Sequence, residues 1–481
     1  MMTLFSFYPQ LSLVRDFLKN SRRRVYLVGG ALRDYYLKRQ GTDLDFAVDQ
    51  GAIALSRQFA RRIKGAFVLL DTEHGSARVV KKWDGVIWTF DFTDWRGPSI
   101  QKDLALRDFT INSLAVDLSQ KADAPILESK ISRGDLKAGM VRMVNPKVFE
   151  DDPLRLMRAF SLQASLGFKI EVNTKTQIKK DAHLLPKVAA ERIRDEFFKV
   201  LDSSRSYTTL SSMDRIGLLP QIIPQLTVMY KVVQGGYHHL DVWKHSLEVI
   251  DQLERIVKEL SVDECLKTYL QEDIGGAHSR LALLKMAALL HDIGKPETRR
   301  EELNRTSFHG HEHVGERITR QIARQLKVSV KEQYFLEDAV RMHLRPGYLS
   351  NFKRPSKKAI FRYLRDTKDE AASLAILALA DQAATRGPLT TDAKHKHHAK
   401  ICHMLIKRYF EIKNQVPKKR LLTGNDLIKV LKLEPSALFG KILSTVEESA
   451  ALGKIKTKQE ALIFAKSVVA RSEATKQSFK K

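Results

Sequence analysis

The spacing of apolar residues changes once along the 481-residue chain, near residue 145, and this change constrains the fold more than any other feature. Before it, the short apolar runs VYLVGG, LDFAV, FVLL, ARVV, VIWTFDF and LAVDL have the composition of β-strands. After it, apolar residues recur every three or four positions, as in PLRLMRAFSLQASLGF and ERIRDEFFKVL, which is typical of helices. We therefore predict an α+β protein: a mixed sheet with helices, then an all-α body.

The chain is too long for a single core, since domains usually hold roughly 100 to 200 residues. Breaks in the apolar pattern occur at LLPQIIPQL (218–226) and at TRGPLTTD (385–392). We predict four units, with boundaries at 1–145, 146–230, 231–395 and 396–481. The first is the mixed α/β unit, and the last is a basic helical region.

The charge balance points to a polyanionic partner. The chain has 82 Lys plus Arg against 56 Asp plus Glu, a net charge of +26. The basic residues are spread along the sequence, which favours RNA or DNA over a membrane surface, although a generally basic surface would also explain them. We expect no membrane span and no signal peptide. The two cysteines, Cys265 and Cys402, lack metal-ligand spacing and predict a reducing, cytoplasmic environment.

The segment VYLVGGALRDYYLKRQGTDLDFAVD fits phosphate chemistry. It combines a strand, the Gly29-Gly30 turn, a helix start with Arg33, and a second strand with Asp43 and Asp45. Glycines and a helix N-terminus let backbone N–H groups approach a phosphate. Residues two apart in a strand share a face, so the two aspartates can hold Mg²⁺ jointly. Such a metal assists attack of a 3′-hydroxyl on an α-phosphate, which is nucleotidyl transfer.

A third candidate acid, Asp91, lies on a later strand in WTFDFTDWRG. By itself it is equally well explained as a polar strand residue, and an isolated Asp-x-Asp pair is often a solvated strand end. The ordered combination of glycine turn, arginine and carboxylates is more specific.

On these motifs the sequence resembles the class II nucleotidyltransferases of the polymerase-beta-like superfamily, which comprise bacterial CCA-adding enzymes, A-adding enzymes and poly(A) polymerases. DLALRDFTINSLAVDL is similar to the second motif of this family, with Arg107, Asp108 and Asn112 in matching positions. The resemblance implies contacts to the ribose and triphosphate of a nucleotide. Leu106 stands where the family often has another arginine. Capping of the following turn by Asp108 and backbone bonding by Asn112 are the structural alternatives.

FEDDPLRLMRAFSLQASLGFKI is similar to the nucleotide-selecting motif of the same family. The resemblance implies that Asp152 and Arg155 bind the edge of the incoming base, and that Arg158 reaches phosphate. Their spacing predicts that all three lie on one face of a helix. A surface Asp/Arg pair would look the same in isolation.

A second constellation resembles the HD domain, a helical metal-dependent phosphohydrolase module. The motifs YHHLDVWKHSLEVI, LLHDIGKP, FHGHEHVGERI, RMHLRP and ALADQAATRGP occur in that order. Matching the family implies a ligand set of His245, His291, Asp292 and Asp381, with His311 and His343 added in two-metal versions. Imidazole with carboxylate suits Mn²⁺, Fe²⁺, Ni²⁺ or Zn²⁺. In such transferases the resemblance implies either hydrolysis of 2′,3′-cyclic or 2′-phosphate ends, or a purely structural metal.

The resemblance therefore implies a nucleotidyltransferase head (1–145), a helical neck with RNA-binding residues (146–230) and an HD domain (231–395). The expected reaction is Mg²⁺-dependent, template-independent addition of CCA from CTP and ATP to the 3′ end of tRNA. An A-adding enzyme or a poly(A) polymerase shares these motifs and stays open. A phosphohydrolase with a regulatory head, and a noncatalytic RNA-binding protein, are the alternatives from other classes.

Overall fold

The computed structural model describes residues 3–19, 21–119, 125–302, 305–415 and 420–478. The chain divides into two compact units, Met1–Pro224 and Gln225–Lys481. None of the described helices is both long and apolar enough to cross a membrane.

The first unit contains a seven-stranded sheet and the helices around it. Its strands are β1 (Val25–Val28), β2 (Asp43–Val48), β3 (Ala66–Asp71), β4 (Ser76–Trp83), β5 (Val86–Asp94), β6 (Leu114–Asp117), β7 (Leu127–Glu128), β8 (Met140–Val141) and β9 (Lys169–Ile170). Its helices are α1 (Leu4–Phe7), α2 (Leu11–Leu18), α3 (Gly30–Tyr36), α4 (Ala52–Ile63), α5 (Ile100–Ala105), α6 (Lys130–Ala138), α7 (Val148–Asp151), α8 (Arg155–Leu166), α9 (Val172–Asp181), α10 (Ala190–Asp202), α11 (Ser206–Arg215) and α12 (Leu219–Ile222).

The sheet is mixed, as predicted. Its strand order is β3-β4-β5-β2-β1-β6-β7. The β2 and β5 strands pair in parallel, whereas the other neighbours are antiparallel. The parallel pairing places Asp45 directly opposite Asp91. All six apolar runs identified in the sequence are strands.

The two faces of β2 and β5 have opposite characters. Phe46 and Phe92 are buried, and their rings stack with centroids 4.8 Å apart. Phe59 of α4 packs edge-on against Phe92 at 5.6 Å. Because side chains alternate across a strand, this aromatic packing directs Asp45 and Asp91 to the other face. The core of the sheet therefore fixes where the carboxylates lie.

The second unit is almost entirely helical. Its helices are α13 (Val242–Leu260), α14 (Glu264–Gln271), α15 (Arg280–Leu290), α16 (Lys295–Thr298), α17 (His311–Gln325), α18 (Val330–Met342), α19 (Arg345–Ser350), α20 (Lys357–Thr367), α21 (Ala371–Ala384), α22 (Asp392–Lys413), α23 (Gly424–Lys429), α24 (Ala437–Ala451) and α25 (Lys458–Ser478), with a hairpin of β10 (Arg300–Glu302) and β11 (Arg305–Ser307). Ten consecutive residues of α21, 371–380, are buried, so this helix is the centre of the unit. The prediction of an α+β fold with a helical body is confirmed.

Candidate functional site

Three aspartates converge on the polar face of the large sheet. Asp45 and Asp91 stand opposite each other on neighbouring parallel strands, and Asp43 lies two residues before Asp45 on the same face. Thr89, opposite Asp43, donates a hydrogen bond to its carboxylate. The strand register thus produces the carboxylate cluster that the sequence predicted, including Asp91.

The electrostatics of this cluster suit a divalent cation. Burial, and then the negative charge of Asp91, raise the pKa of Asp45 to about 6. Asp43 adds to this repulsion, while Arg107 and Arg158 oppose it. A hard cation would relieve the repulsion between the carboxylates, so the residues fit Mg²⁺.

The glycine turn borders the cluster. Gly29 has a φ of +74°, in the left-handed region, and a Cβ there would lie 3.4 Å from Nη1 of Arg107 and 3.5 Å from Oδ2 of Asp45. Glycine at this position therefore leaves open the space between the guanidinium of Arg107 and the carboxylate of Asp45, which a side chain would fill. Arg107 is held at this place by Asp103, whose Oδ2 accepts from Nε at 3.1 Å and from Nη2 at 2.9 Å.

Hydrogen bonds join the first and second sequence motifs. Arg33 donates to Oδ1 of Asn112 at 2.8 Å and to both carboxylate oxygens of Asp34. Asn112 donates to Asp108 at 3.0 Å, and Asp108 in turn accepts from Nε and Nη2 of Arg158 at 2.9 and 2.7 Å. Asp108 also accepts from the backbone N–H of Phe109 and is buried. The network fixes residues from three distant segments along one wall.

The prediction that Asp152, Arg155 and Arg158 share one helical face was wrong for Asp152. The helix begins at Arg155, and Asp152 has an extended backbone with φ −149° and ψ 100°. The cause is Pro153, because a residue before proline is disfavoured in the helical region. Asp152 instead precedes the helix and accepts from the backbone N–H of Leu154 at 3.2 Å.

The side chains of Asp152 and Arg155 lie in different environments. Asp152 pairs with Arg192 of α10 at 3.3 Å. Arg155 is buried, and its guanidinium donates to the backbone carbonyls of Val148 at 3.3 Å and Leu106 at 3.1 Å. Leu106 thus contributes its carbonyl group at the position where an arginine is common.

Most of these groups line one cleft of about 890 Å³ within the first unit. Among its lining residues are the predicted ones Gly29, Gly30, Arg33, Asp43, Asp45, Asp91, Arg107, Asp108, Asn112, Asp152, Arg155 and Arg158. The cleft also contains charged residues that sequence reasoning had not assigned to it, namely Arg39, Asp94, Arg96, Asp103, Arg192, Glu196, Lys199, Asp202 and Arg205. A cavity that mixes carboxylates with many guanidinium groups fits a metal-bound triphosphate.

Six side chains of the second unit form a compact group of metal-binding type. Two triads, His245-His291-Asp381 and Asp292-His311-His343, each place three ligand atoms within 4.8 Å of one another. The triads adjoin, because Oδ2 of Asp292 lies 3.1 Å from Nε2 of His291 and 3.8 Å from Nε2 of His245. The structure thus brings together all six residues predicted from the sequence.

Hydrogen bonds to backbone carbonyls fix the tautomer of three of these histidines. The Nδ1 atoms of His291, His311 and His343 lie 2.6 to 2.8 Å from the carbonyl oxygens of Ala288, Phe308 and Val340, each three residues earlier. A carbonyl can only accept, so Nδ1 carries the proton and Nε2 presents a lone pair. Burial lowers the pKa of His343 to about 3, which keeps its ring neutral.

A lysine and a glycine complete this centre. Lys295 lies 2.6 Å from Oδ2 of Asp292 and donates to Gln234 at 2.7 Å. At Gly294 a Cβ would stand 2.1 Å from the carbonyl oxygen of His311, so only glycine permits α17 to approach this closely. The donor set of imidazoles and carboxylates fits a transition metal.

Comparison with known proteins agrees with this geometry. Residues 25–142 match the "Poly A polymerase head domain" family, residues 167–229 the "Probable RNA and SrmB- binding site of polymerase A", and residues 242–386 the "HD domain". The A-adding tRNA nucleotidyltransferase of Deinococcus radiodurans is 31% identical over 449 residues, covering 91% of this chain and 94% of that protein.

The chain belongs to the tRNA nucleotidyltransferase family.

Another member of the family, the CC-adding tRNA nucleotidyltransferase of Thermus thermophilus, is 30% identical over 457 residues and covers 93% of this chain and 94% of that protein. The family resemblance seen in the sequence is confirmed. The CC-adding class, however, is one that sequence reasoning had not considered.

Solved structures share the fold. The Thermotoga maritima CCA-adding enzyme complexed with tRNA has a TM-score of 0.61 at 19% identity, covering 96% of this chain and 95% of that one. A CCA-adding enzyme solved with CTP has a TM-score of 0.63 at 20% identity, covering 98% and 97%. At these identities the likeness concerns the fold.

The additional charged residues of the cleft were only weakly indicated by sequence patterns. Asp103 occupies the fourth position before Arg107, a helical spacing at which an acid and a base often pair. Arg192 and Glu196 belong to ERIRDEFFKVL, whose apolar spacing predicted only a helix. The spacing alone gave no sign that this helix faces the cleft.

Proposed function

We propose that this family member adds nucleotides from CTP and ATP to the 3′ end of tRNA without a template, completing CCA. The proposal rests on one observation. The cleft is lined by the carboxylates of Asp43, Asp45 and Asp91, by the glycine turn, and by guanidinium groups that include those of Arg107 and Arg158. This arrangement provides oxygen ligands on one side and phosphate donors on the other.

Asp43 and Asp45 would hold Mg²⁺, which when bound supplies activation of the 3′-hydroxyl and stabilisation of the leaving pyrophosphate. Asp91 would stand beside this pair, facing the reacting groups. Arg107, fixed by Asp103, and Arg158, fixed by Asp108, would bind the triphosphate.

The base would be read by Asp152 and Arg155. Two of the five guanidinium N–H groups of Arg155 are occupied by backbone carbonyls, so its plane is fixed while other donors are left for a base edge. Asp152 supplies acceptors, and its partner Arg192 also lines the cleft. Protein groups would thus replace a nucleic-acid template.

The test uses tRNA transcripts that end before CCA, after C and after CC, with CTP and ATP offered separately and together. The proposal requires all three nucleotides on the first transcript. Addition of only CC would make the protein a CC-adding enzyme, as in Thermus thermophilus, and addition of A alone to the CC end would make it an A-adding enzyme. Unlimited A addition would indicate a poly(A) polymerase.

A second activity, metal-dependent phosphohydrolysis, is supported by the two adjoining triads of the second unit. A centre with two sets of three ligands would hold two ions of Mn²⁺, Fe²⁺, Ni²⁺ or Zn²⁺ and suit phosphoester hydrolysis at 2′,3′-cyclic or 2′-phosphate ends. Hydrolysis that is lost in Asp292→Asn but kept in Asp45→Asn would establish it. Metal without hydrolysis would make the centre structural.

We also propose a cytoplasmic location, since Cys265 and Cys402 are both free thiols. Fractionation of cells that express the protein tests this assignment, and recovery outside the cytoplasm would refute it.

A further inference from the structure

One side chain outside the motifs identified in the sequence contacts the carboxylate cluster. Arg78, on β4, forms a fork with Asp91: Nε lies 2.7 Å from Oδ1 and Nη2 lies 2.7 Å from Oδ2. Both oxygens of Asp91 therefore have a fixed partner, and the plane of the carboxylate is set by the plane of the guanidinium.

The fork results from the strand register. Arg78 is directly opposite Asp91 across β4 and β5, and Asp91 is directly opposite Asp45 across β5 and β2. The three side chains form one row on the same face of three neighbouring strands. Arg78 stands at the outer end of this row, and the cleft begins at Asp91.

The charge of the row shows what the arginine contributes. Asp43, Asp45 and Asp91 would together carry three negative charges in a partly buried place, and Arg78 reduces this to two. It also prevents Asp91 from turning toward Asp45, because a forked carboxylate cannot rotate without breaking two charge-assisted hydrogen bonds. A plain cross-strand ion pair would contribute only to the stability of the sheet.

We infer that Arg78 is a positioning residue of the transfer site, which acts through Asp91 by holding its carboxylate in one orientation beside the pair Asp43 and Asp45. The inference rests on the proposed nucleotidyl transfer. Asp91 then faces the reacting groups in a fixed pose, while the divalent cation is held by the other two aspartates.

The test compares Arg78→Met with Arg320→Met. Arg320 is a matched control, since it forms two hydrogen bonds to a carboxylate oxygen of Glu337 in the second unit and is 41% exposed, against 42% for Arg78. With tRNA and nucleotide in single-turnover and steady-state assays, Arg78→Met should lower kcat at least about tenfold. The KM for nucleotide should change less than about threefold. Arg320→Met should leave both unchanged.

Metal binding separates positioning from damage to the site. Mn²⁺ binding is measured by electron paramagnetic resonance, and the signal lost in Asp45→Asn defines the site of the first unit. Removing Arg78 adds one net negative charge and frees Asp91, so Mn²⁺ should bind about as tightly as in the wild type or several times more tightly, while kcat falls. If Mn²⁺ affinity falls together with activity, Arg78 only maintains the fold and the inference is overturned.

A double variant shows whether Arg78 acts through Asp91. In the Asp91→Asn background, Arg78→Met should cause little further loss, because its partner is already gone. An equal loss in both backgrounds would refute the inference. Arg78→Lys should recover only part of the activity, since an ammonium group cannot form the fork. If the wild type transfers no nucleotide, the proposed function fails and the inference fails with it; if the wild type is active and Arg78→Met is equally active, only the inference fails.

Discussion

Asp45 has a function that conflicts with the stability of the fold. Its pKa is raised to about 6 from an ordinary 3.8, so ionisation of this carboxyl group lowers the free energy of unfolding of the metal-free protein, which is the cost of keeping it charged. That cost is fully present above about pH 6, declines as the pH falls toward 4, and is absent below the unfolded pKa. Two pKa units correspond to at most about 3 kcal/mol.

Asp45→Asn should therefore abolish transfer and stabilise the metal-free protein. We expect the free energy of unfolding in EDTA to rise by about 1 to 3 kcal/mol at pH 7.5 and by about 1 kcal/mol or less at pH 4.5. Urea unfolding at both pH values measures it. Glu73→Gln, an exposed change in the loop between β3 and β4, is the control and should shift neither value. A destabilised Asp45→Asn at pH 7.5 would contradict the assigned electrostatics.

Asp103 is predicted to act through Arg107. Asp103→Asn weakens the charge-assisted pair that fixes the guanidinium, so the KM for CTP and ATP should rise about tenfold with a smaller change in kcat. Steady-state kinetics with each nucleotide measure this. A fall in kcat at unchanged KM would show that the pair serves the chemical step instead.

At the scale of secondary structure elements, sequence periodicity was sufficient for the long strands and helices. The sequence predicted the apolar runs of β1 to β6 and the helical spacing of α8 and α10. The strands β7, β8 and β9 have only two residues each, and such lengths carry no alternation to detect.

The sequence predicted the site residues that belong to recognisable motifs. It did not predict the contacts that depend on local backbone conformation and on packing between strands. Asp43, Asp45 and the six-residue metal centre followed from motif order. The place of Asp152 outside the helix depended on Pro153, a local signal that was available but not used. The fork between Arg78 and Asp91 depended on strand register, which residue spacing does not reveal.

The contact between α17 and the loop after α15 gives a prediction at this scale. Gly294→Ala places a Cβ against the backbone of His311 and Gly315, so α17 must move and the metal centre should lose its ion. Metal content by mass spectrometry should fall to well below half of the wild-type value. Gly440→Ala, where a Cβ meets open space within α24, should keep the metal and stabilise the protein slightly. Full metal content in Gly294→Ala would contradict the proposed packing.

At the scale of the whole molecule, the net charge of +26 should govern RNA binding. Phosphate contacts release counterions, so the Kd for tRNA should weaken at least about a hundredfold between 50 and 200 mM salt. Filter binding across this range measures the slope, and the KM for CTP, which carries few charges, serves as the comparison. A slope near zero would mean that the basic surface does not contact the RNA backbone.

The most direct test of the central claim is nucleotide addition to a tRNA transcript that lacks CCA, compared between wild type, Asp45→Asn and Asp292→Asn. The carboxylate row of the first unit is expected to carry the reaction. Asp292→Asn should therefore add CCA at close to the wild-type rate, and Asp45→Asn should be slower by at least about a thousandfold. Addition by Asp45→Asn at the wild-type rate, or its loss in Asp292→Asn with the fold intact, would contradict the account.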